Sequence, residues 1–134
     1  MPGERAARVE DVHELATSLP GVTVDEGDFP AYRVGKKLFV VFRSPRGDAV
    51  DPVSGQRYTD VIVFWVESEA EKQALVRDES TPFFTTPHFD GYASVLLRSS
   101  RIGELTRAEL AEVVQDAWLC RAPKRAARAW LAER

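Results

Sequence analysis

Apolar residues near the start of the chain recur at three- and four-residue steps, the period of a helix with one buried face. The stripe consists of Val9, Val12, Leu15, Ala16 and Leu19. It predicts a helix over about residues 5–19. Pro20 and Gly21 end this helix, because proline blocks its continuation and glycine tolerates the turn that follows.

Segments rich in β-branched and aromatic residues come next and predict a group of strands. The pattern predicts strands at residues 31–34 and 37–43. Gly35-Lys36 between them suits a two-residue hairpin turn. Residues 44–59 hold two prolines and two glycines without periodicity, which predicts a long mobile loop, or wing. Residues 60–67 are apolar on both faces and are therefore expected at the centre of the sheet.

Two capping boxes mark the starts of later helices. Ser68 precedes Glu71 and Thr106 precedes Glu109, so in each pair the hydroxyl and the carboxylate can satisfy opposite backbone amides. The first box predicts a short helix to about Arg77, and the second predicts a longer one. A further apolar strand is predicted between these two helices.

Pro123 interrupts the apolar face of the last predicted helix. That face consists of Leu110, Val113, Val114, Ala117 and Trp118. Residues 124–133 predict one or two further turns, and the sequence leaves open whether Pro123 bends one helix or separates two. The order α-βββ-β-α-β-α predicts a single α+β domain over 1–134, with both terminal helices packed on one face of an antiparallel sheet.

Composition indicates an ordinary soluble domain. The chain has 134 residues, of which 44% are apolar and 29% charged, and no apolar run approaches the roughly 20 residues needed to cross a bilayer. The N-terminus lacks the pattern of a secretion signal, and the single cysteine forms no internal disulfide. These features favour the cytoplasm and predict no membrane partner.

The net charge of −3 comes from blocks of alternating sign. Residues 1–30 and 67–120 each carry −5, whereas residues 31–66 carry +3 and residues 121–134 carry +4. An acidic protein is a poor candidate for strong nonspecific binding of nucleic acid, although a basic face can act locally. Whether the two basic blocks share a face depends on the fold.

Four segments, in order, resemble the MmcQ/YjbR family of small bacterial proteins. They are Leu19-Pro-Gly-Val22, Tyr32-Arg-Val-Gly-Lys-Lys-Leu-Phe39, Thr86-Pro-His-Phe-Asp-Gly-Tyr-Ala-Ser-Val-Leu-Leu97 and Asp116-Ala-Trp-Leu-Cys-Arg-Ala-Pro-Lys124. The resemblance implies a frataxin-like (CyaY-like) α+β layout, sometimes described as a double wing. The family's frequent "DNA-binding" label rests on the shape of that fold, and one fold hosts unrelated activities.

Cations at predicted strand ends and loops form the first candidate site, for nucleic acid. They are Lys36, Lys37, Arg43, Arg46, Arg57, Arg98 and Arg101. If those ends converge, the wings present a basic rim to phosphates. The simpler interpretation, which we prefer from the sequence alone, is that these residues protect strand ends and solubilise loops.

The run from Lys124 to Trp130 combines cations with an aromatic residue, as single-strand binders do. Cations near a helix C-terminus also complement the helix dipole, and Trp130 is in phase with the apolar stripe. The structural interpretation of this run is therefore the simpler one.

His88, Asp90 and Tyr92 in the bend before the last strand are an alternative pocket. Trp65, with Phe39, Phe42 or Phe64, would line a groove beside them if one sheet face lacks helices. The structural alternative is a turn in which the aspartate caps backbone amides. The sequence indicates no nucleophile beside these residues. We therefore predict no catalytic residue and no cofactor. A bare sheet face would also suit a homodimer.

Acidic residues near the start suggest a ridge for weak contact with hard cations, although a solvated helix face is the preferred explanation. They are Glu10, Asp11, Glu14, Asp25, Glu26 and Asp28. Cys120 is expected to be a buried thiol rather than a reactive one. The working hypothesis is a binding module, monomeric or homodimeric, with DNA as the first candidate partner and a protein or small molecule as the next.

Overall fold

The structure is a computed structural model that describes residues 5–43, 53–56, 58–86, 89 and 91–133. Its elements, in chain order, are α1 (Val9–Thr17), β1 (Val22–Asp25), β2 (Ala31–Val34), β3 (Lys37–Arg43), β4 (Val61–Trp65), α2 (Glu69–Arg77), β5 (Ser94–Arg98), a 3₁₀ helix (Ser99–Glu104), α3 (Arg107–Arg121) and α4 (Lys124–Ala132). The predicted α+β class is confirmed.

The five strands form one antiparallel sheet in the order β1-β2-β3-β4-β5. The strand that the sequence left unplaced is β1, which pairs with β2 from Val22↔Val34 to Asp25↔Ala31. Because β1 adds an edge, β3 is central and β4 is its neighbour, so the predicted central position of 60–67 is wrong by one strand. The pattern behind that prediction holds, since Val61, Ile62, Val63 and Phe64 are all buried.

One face of the sheet carries α1 and α3, as predicted for the terminal helices. Val12 and Ala16 of α1 and Leu110, Val114 and Trp118 of α3 join one core cluster with the strands. The strand residues of that cluster include Tyr32, Val34, Val40, Ile62, Phe64, Val95 and Leu97. This packing is the main source of the fold's stability, since burial of apolar surface drives folding.

The other face has a smaller apolar cluster. Val61, Val63 and Leu96 alternate with the residues of the first face, so their side chains point to the opposite side. Phe89 is buried against them, with Tyr58 and Phe84 packed at the edge. Residues outside the regular strands thus cover this face.

Helix α1 begins at Val9, later than the predicted position of about 5. Arg5, Ala6 and Ala7 instead run alongside the segment before α3. The amide of Ala7 donates to the carbonyl of Leu105 at 2.9 Å, and the amide of Arg107 donates to the carbonyl of Arg5 at 2.8 Å. These bonds to a distant segment override the local helical preference of the alanines.

The capping signals place two later helices. Thr106 and Glu109 form the complete predicted box, and the hydroxyl of Ser68 accepts from the amide of Glu71 at 3.2 Å. Pro123 separates two helices, which settles the question left open by the sequence. Ala122 before it is extended, with ψ of 151°, because a residue that precedes proline avoids the helical region.

The predicted wing at 44–59 lies largely outside the described residues, and its described parts, 53–56 and 58–59, contain no strand or helix. In the ranges that the structure does describe, every helix is too short or too polar to span a membrane.

Candidate nucleic-acid interface

The two positively charged blocks of the sequence meet at one end of the sheet. A Cβ atom on Gly35, beside Lys36, would lie 2.9 Å from Cγ of Pro123, so the hairpin and the start of α4 are in van der Waals contact. A second contact lies nearby, where Nε of Arg121 donates to the carbonyl of Leu38 at 2.8 Å. These contacts place the hairpin tip of the first basic block beside the start of the second.

The hairpin tip has the backbone of a type I′ turn. Gly35 has φ of 54° and Lys36 has φ of 74°, so both central residues are left-handed, as this turn requires. Glycine adopts that conformation freely, whereas a lysine costs about 1 kcal/mol there. A cation thus occupies a turn position that favours glycine or asparagine.

The start of α4 also places cations where local energetics disfavour them. Lys124 and Arg125 lie in its first turn, which has no acidic residue and no side-chain cap at Pro123. The first turn is the positive end of the helix dipole. The expectation that these cations complement a helix C-terminus is therefore wrong, because Pro123 begins a new helix.

We call Lys36, Lys37, Lys124 and Arg125 the basic cluster. All four are exposed. None forms an ion pair with any residue in the part of the chain that the structure describes. The hairpin tip and the start of α4 thus carry four exposed cations without an ion pair among the described residues, in a protein whose net charge is −3.

The other described members of the predicted rim lie at the opposite end of the sheet. The register aligns Arg43 with Val61 and Val61 with Arg98, and Arg101 follows in the 3₁₀ helix. Lys37 and Arg43 are the two ends of β3, about 20 Å apart. The rim is thus divided into two groups. Arg46 and Arg57 lie outside the described residues.

The arginines at that opposite end have partners within the protein. Nε of Arg98 lies 3.1 Å from Oδ1 of Asp60, and its guanidinium stacks on Tyr58 at 4.1 Å. Arg101 pairs with Glu104 at 2.6 Å. Burial raises the pKa of Asp60, but hydrogen bonds from Ser100 and Arg98 lower it more, so the net pKa is below the usual range. Arg98 is therefore held by Asp60 and Tyr58, whereas the ion pair of Arg101 is exposed and contributes little to stability.

The alternative pocket is only partly described. Tyr92 is 61% exposed, and Trp65 is half-buried beneath the guanidinium of Arg121, which lies 5.3 Å from its ring. His88 and Asp90 lie outside the described residues, so a pocket beside them stays a prediction, as does a homodimer. Phe39 and Phe64, suggested as walls, are fully buried in the core beneath the helices.

The YjbR family model matches residues 17–120. The chain belongs to the YjbR family. This confirms the family resemblance found in the sequence. Two similar proteins are described as uncharacterised: Mb2600 of Mycobacterium bovis and Rv2570 of Mycobacterium tuberculosis. Each is 36% identical over 131 residues, covering 92% of this chain and 95% of the relative. No solved structure matches the chain significantly.

This YjbR chain also contains a buried lysine that the sequence analysis missed. Lys72 of α2 is 1% exposed, and its ammonium donates to the carbonyls of Phe89 at 2.7 Å and Tyr92 at 2.9 Å. It therefore anchors the bend that precedes β5. A signal was available, because Lys72 shares a helix face with Leu75 and Val76 at steps of three and four residues.

The acidic ridge of this YjbR domain is interrupted at Asp11, which is 3% exposed. Its carboxylate accepts from Arg5 at 2.6 and 2.9 Å and from the amide of Arg8 at 2.8 Å, with Arg107 at 3.5 Å. Both the ridge and the solvated-face explanation are wrong for this residue. Within the described ranges, no group of three or more histidine, cysteine or acidic residues is arranged to hold a metal ion.

His13 joins α1 to the sheet. Its ring stacks on Phe42 with centroids 4.8 Å apart, and Nδ1 hydrogen-bonds the hydroxyl of Tyr32. Burial raises the pKa of Tyr32, and the charge of Glu26 adds to that shift. The pair explains how a half-buried imidazole is satisfied without a ligand.

Proposed function

We propose that this YjbR-family protein is a cytoplasmic nucleic-acid-binding module that contacts duplex phosphates through the basic cluster. The observation that carries the proposal is the contact between Gly35 and Pro123, which places the hairpin that bears Lys36 and Lys37 beside the start of α4, where Lys124 and Arg125 lie. The cluster keeps Lys36 and Lys37 of the sequence prediction. Lys124 and Arg125 take the place of the arginines at the other end of the sheet.

The cluster suits recognition of the phosphate backbone rather than of bases. Lysine and arginine neutralise phosphates and release counterions, which supplies nearly all of nonspecific binding. The uncapped first turn of α4 adds backbone amides and the positive end of a dipole, both favourable to an anion. With four phosphate contacts, log K falls with log salt at a slope of about −3.6, so affinity drops roughly 150-fold between about 50 and 200 mM.

Charge reversal in the cluster is expected to weaken binding of a duplex of about 20 base pairs. In fluorescence polarisation at low salt, Lys36→Glu/Lys124→Glu should lose at least about tenfold in affinity, because two cations become repulsive to phosphate. The wild-type protein should show the steep salt dependence described above. Circular dichroism checks that the variant keeps its helix content.

The matched control is Arg77→Glu/Arg101→Glu, which changes the net charge by the same amount at exposed sites outside the cluster. It should retain most of the affinity. A greater loss of duplex affinity in this control than in the cluster variant would indicate that the interface lies at the far end of the sheet. Absence of binding by the wild-type protein at about 50 mM salt would reject the proposal.

Lys36→Gly is expected to stabilise the protein while it weakens binding. Glycine relieves the left-handed strain at φ of 74°, which should raise the free energy of unfolding by about 1 kcal/mol and Tm by roughly 3–5 °C. The loss of one cation should lower duplex affinity and reduce the salt slope by about one. Thermal melts and polarisation on the same preparations test both effects, and an unchanged affinity would exclude Lys36 from the interface.

A further inference from the structure

A cavity of about 460 Å³ lies between α2, α3, α4 and the residues that follow β4. Its size lies within the range of about 300–1,000 Å³ that is usual for small-molecule sites. Leu75, Val113 and Leu119 contribute apolar surface from α2 and α3. Leu131 of α4, which is 50% exposed, adds a further apolar wall. The cavity therefore offers a place for an apolar ligand body.

The charged side chains that line this cavity, among the residues that the structure describes, all have the same sign. They are Glu67, Glu71, Glu112 and Asp116. Glu112 and Asp116 are four residues apart and so lie on one face of α3, with Glu71 of α2 and Glu67 also in the lining. Among the described lining residues there is no lysine, arginine or histidine. An apolar site with carboxylates at its border is complementary to an amphipathic cation.

The thiol of Cys120 also lines the cavity and responds to this negative charge. Burial raises its pKa to about 11, and the charges of Glu67 and Asp116 act in the same direction, against the opposing effect of Arg121. Burial is thus the main cause of the raised pKa, and the two carboxylates contribute less than Arg121. As the chain's single cysteine, Cys120 is also a unique chemical reporter for this site.

We infer that the cavity binds a small organic cation with an apolar body and a primary ammonium group. The apolar walls would take the body, and the carboxylates of Glu67, Glu71 and Glu112 would receive the ammonium through charge-assisted hydrogen bonds. A partly open cavity of this volume suits a small molecule better than a helical peptide, which needs an extended groove. The lining includes none of the four residues of the basic cluster, although α4 contributes to both sites.

Three probes with one apolar body test the inference: 4-phenylbutylamine, 4-phenylbutan-1-ol and 4-phenylbutyrate. In titrations followed by amide NMR shifts, the amine should bind at least about tenfold more tightly than the alcohol, and the carboxylate should bind weakest. The shifts should centre on the cavity residues of α2, α3 and α4. Equal affinity for the three probes, or no binding of the amine, would overturn the inference.

Glu112→Gln/Asp116→Asn should weaken the amine about tenfold and leave the alcohol unchanged, because the walls keep their shape while the charge is removed. Glu10→Gln/Glu79→Gln removes two exposed carboxylates outside the cavity and should leave both affinities unchanged. Duplex binding should survive Glu112→Gln/Asp116→Asn, so the failure of one proposal is distinguishable from the failure of the other.

Chemical modification of Cys120 gives a second measurement. A trimethylammonium methanethiosulfonate should modify the thiol faster than the sulfonate reagent of similar size, relative to their rates with a free small thiol. The ratio of the cationic to the anionic reagent's rate, each divided by its rate with the free thiol, should fall in Glu112→Gln/Asp116→Asn. A ratio equal to that of the free thiol would show that the carboxylates do not select cations in this cavity and would contradict the inference.

Discussion

Replacing Lys72 with alanine is expected to lower the free energy of unfolding by about 3 kcal/mol. The side chain is 1% exposed, and its ammonium makes two charge-assisted hydrogen bonds to the bend before β5. Alanine removes both bonds and leaves a cavity where the three outer methylenes packed. Urea denaturation followed by tryptophan fluorescence and circular dichroism measures the change.

Lys72→Met separates the contribution of packing from that of the charge. Both carbonyls keep a backbone donor without the ammonium, since the amide of Tyr92 donates to Phe89 at 3.0 Å and the amide of Ser94 donates to Tyr92 at 2.9 Å. Methionine restores the bulk and needs no desolvated charge, so it should recover more than half of the loss. A methionine variant as unstable as the alanine one would show that the ammonium itself stabilises the bend.

Lys124→Ala is the matched exposed control for Lys72→Ala and should change stability by less than about 0.5 kcal/mol. Lys72 is also expected to act locally. Its loss should speed hydrogen exchange at the amides of Tyr92 and Ser94 more than in β3, because the bend loses the tie that holds it to α2. Uniform acceleration across the sheet would argue for a purely global effect.

The elements that were predicted most accurately are those whose turn or capping residues lie close together in the sequence. Gly35-Lys36 forms the predicted two-residue hairpin turn, and Thr106 begins α3 as the capping box indicated. Each signal depends on residues within a few positions of one another, so no knowledge of the tertiary structure is needed. By contrast, β1 has alternating half-buried and exposed residues at a sheet edge, which leaves little hydrophobic pattern to detect.

The candidate interface was only half predictable. Lys36 and Lys37 were identified as hairpin cations, but their proximity to Lys124 depends on a contact between residues 35 and 123, which no local pattern encodes. The grouping of Arg43 and Arg98 with Lys36 failed for the same reason, since strand direction decides which ends meet. Charge blocks in a sequence thus indicate candidates, and the register decides which of them form one surface.

The cavity was not predictable from the sequence because its charged residues look ordinary there. Glu71 and Glu112 fall within predicted helices, where exposed acids usually solvate the surface. Only the packing of α2, α3 and α4 turns these separate acids toward one space. Pro123 is decisive, because it ends α3 and lets α4 turn to form a wall.

Asp11→Asn is expected to lower the free energy of unfolding by about 2–3 kcal/mol at pH 7. Asp11 is buried, and asparagine cannot neutralise Arg5, whose two donors now reach it at 2.6 and 2.9 Å. The value lies at the low end for a broken buried pair because the side chain of Arg5 is 36% exposed. Denaturant titration at pH 7 measures the loss.

Acid titration gives Asp11 a signature that simple packing does not share. Its hydrogen bonds from Arg5 lower the pKa of the carboxyl to about 2 from 3.8, with a further lowering by the amide of Arg8, against burial, which raises it. A depressed folded-state pKa contributes stability that is complete above pH 3.8 and declines as pH falls toward 2. Asp11→Asn should therefore lose less stability over that pH range than wild type.

Glu10→Gln, a change at the exposed residue next to Asp11 in α1, provides the control and should keep the wild-type acid profile. If Asp11→Asn and wild type lost stability in parallel between pH 3.8 and 2, the ion pair would not be the acid-sensitive group. Because Arg107 of α3 also approaches this carboxylate at 3.5 Å, removing the charge weakens a contact between the two terminal helices. The expected loss should thus appear as global unfolding, with α1 and α3 melting together.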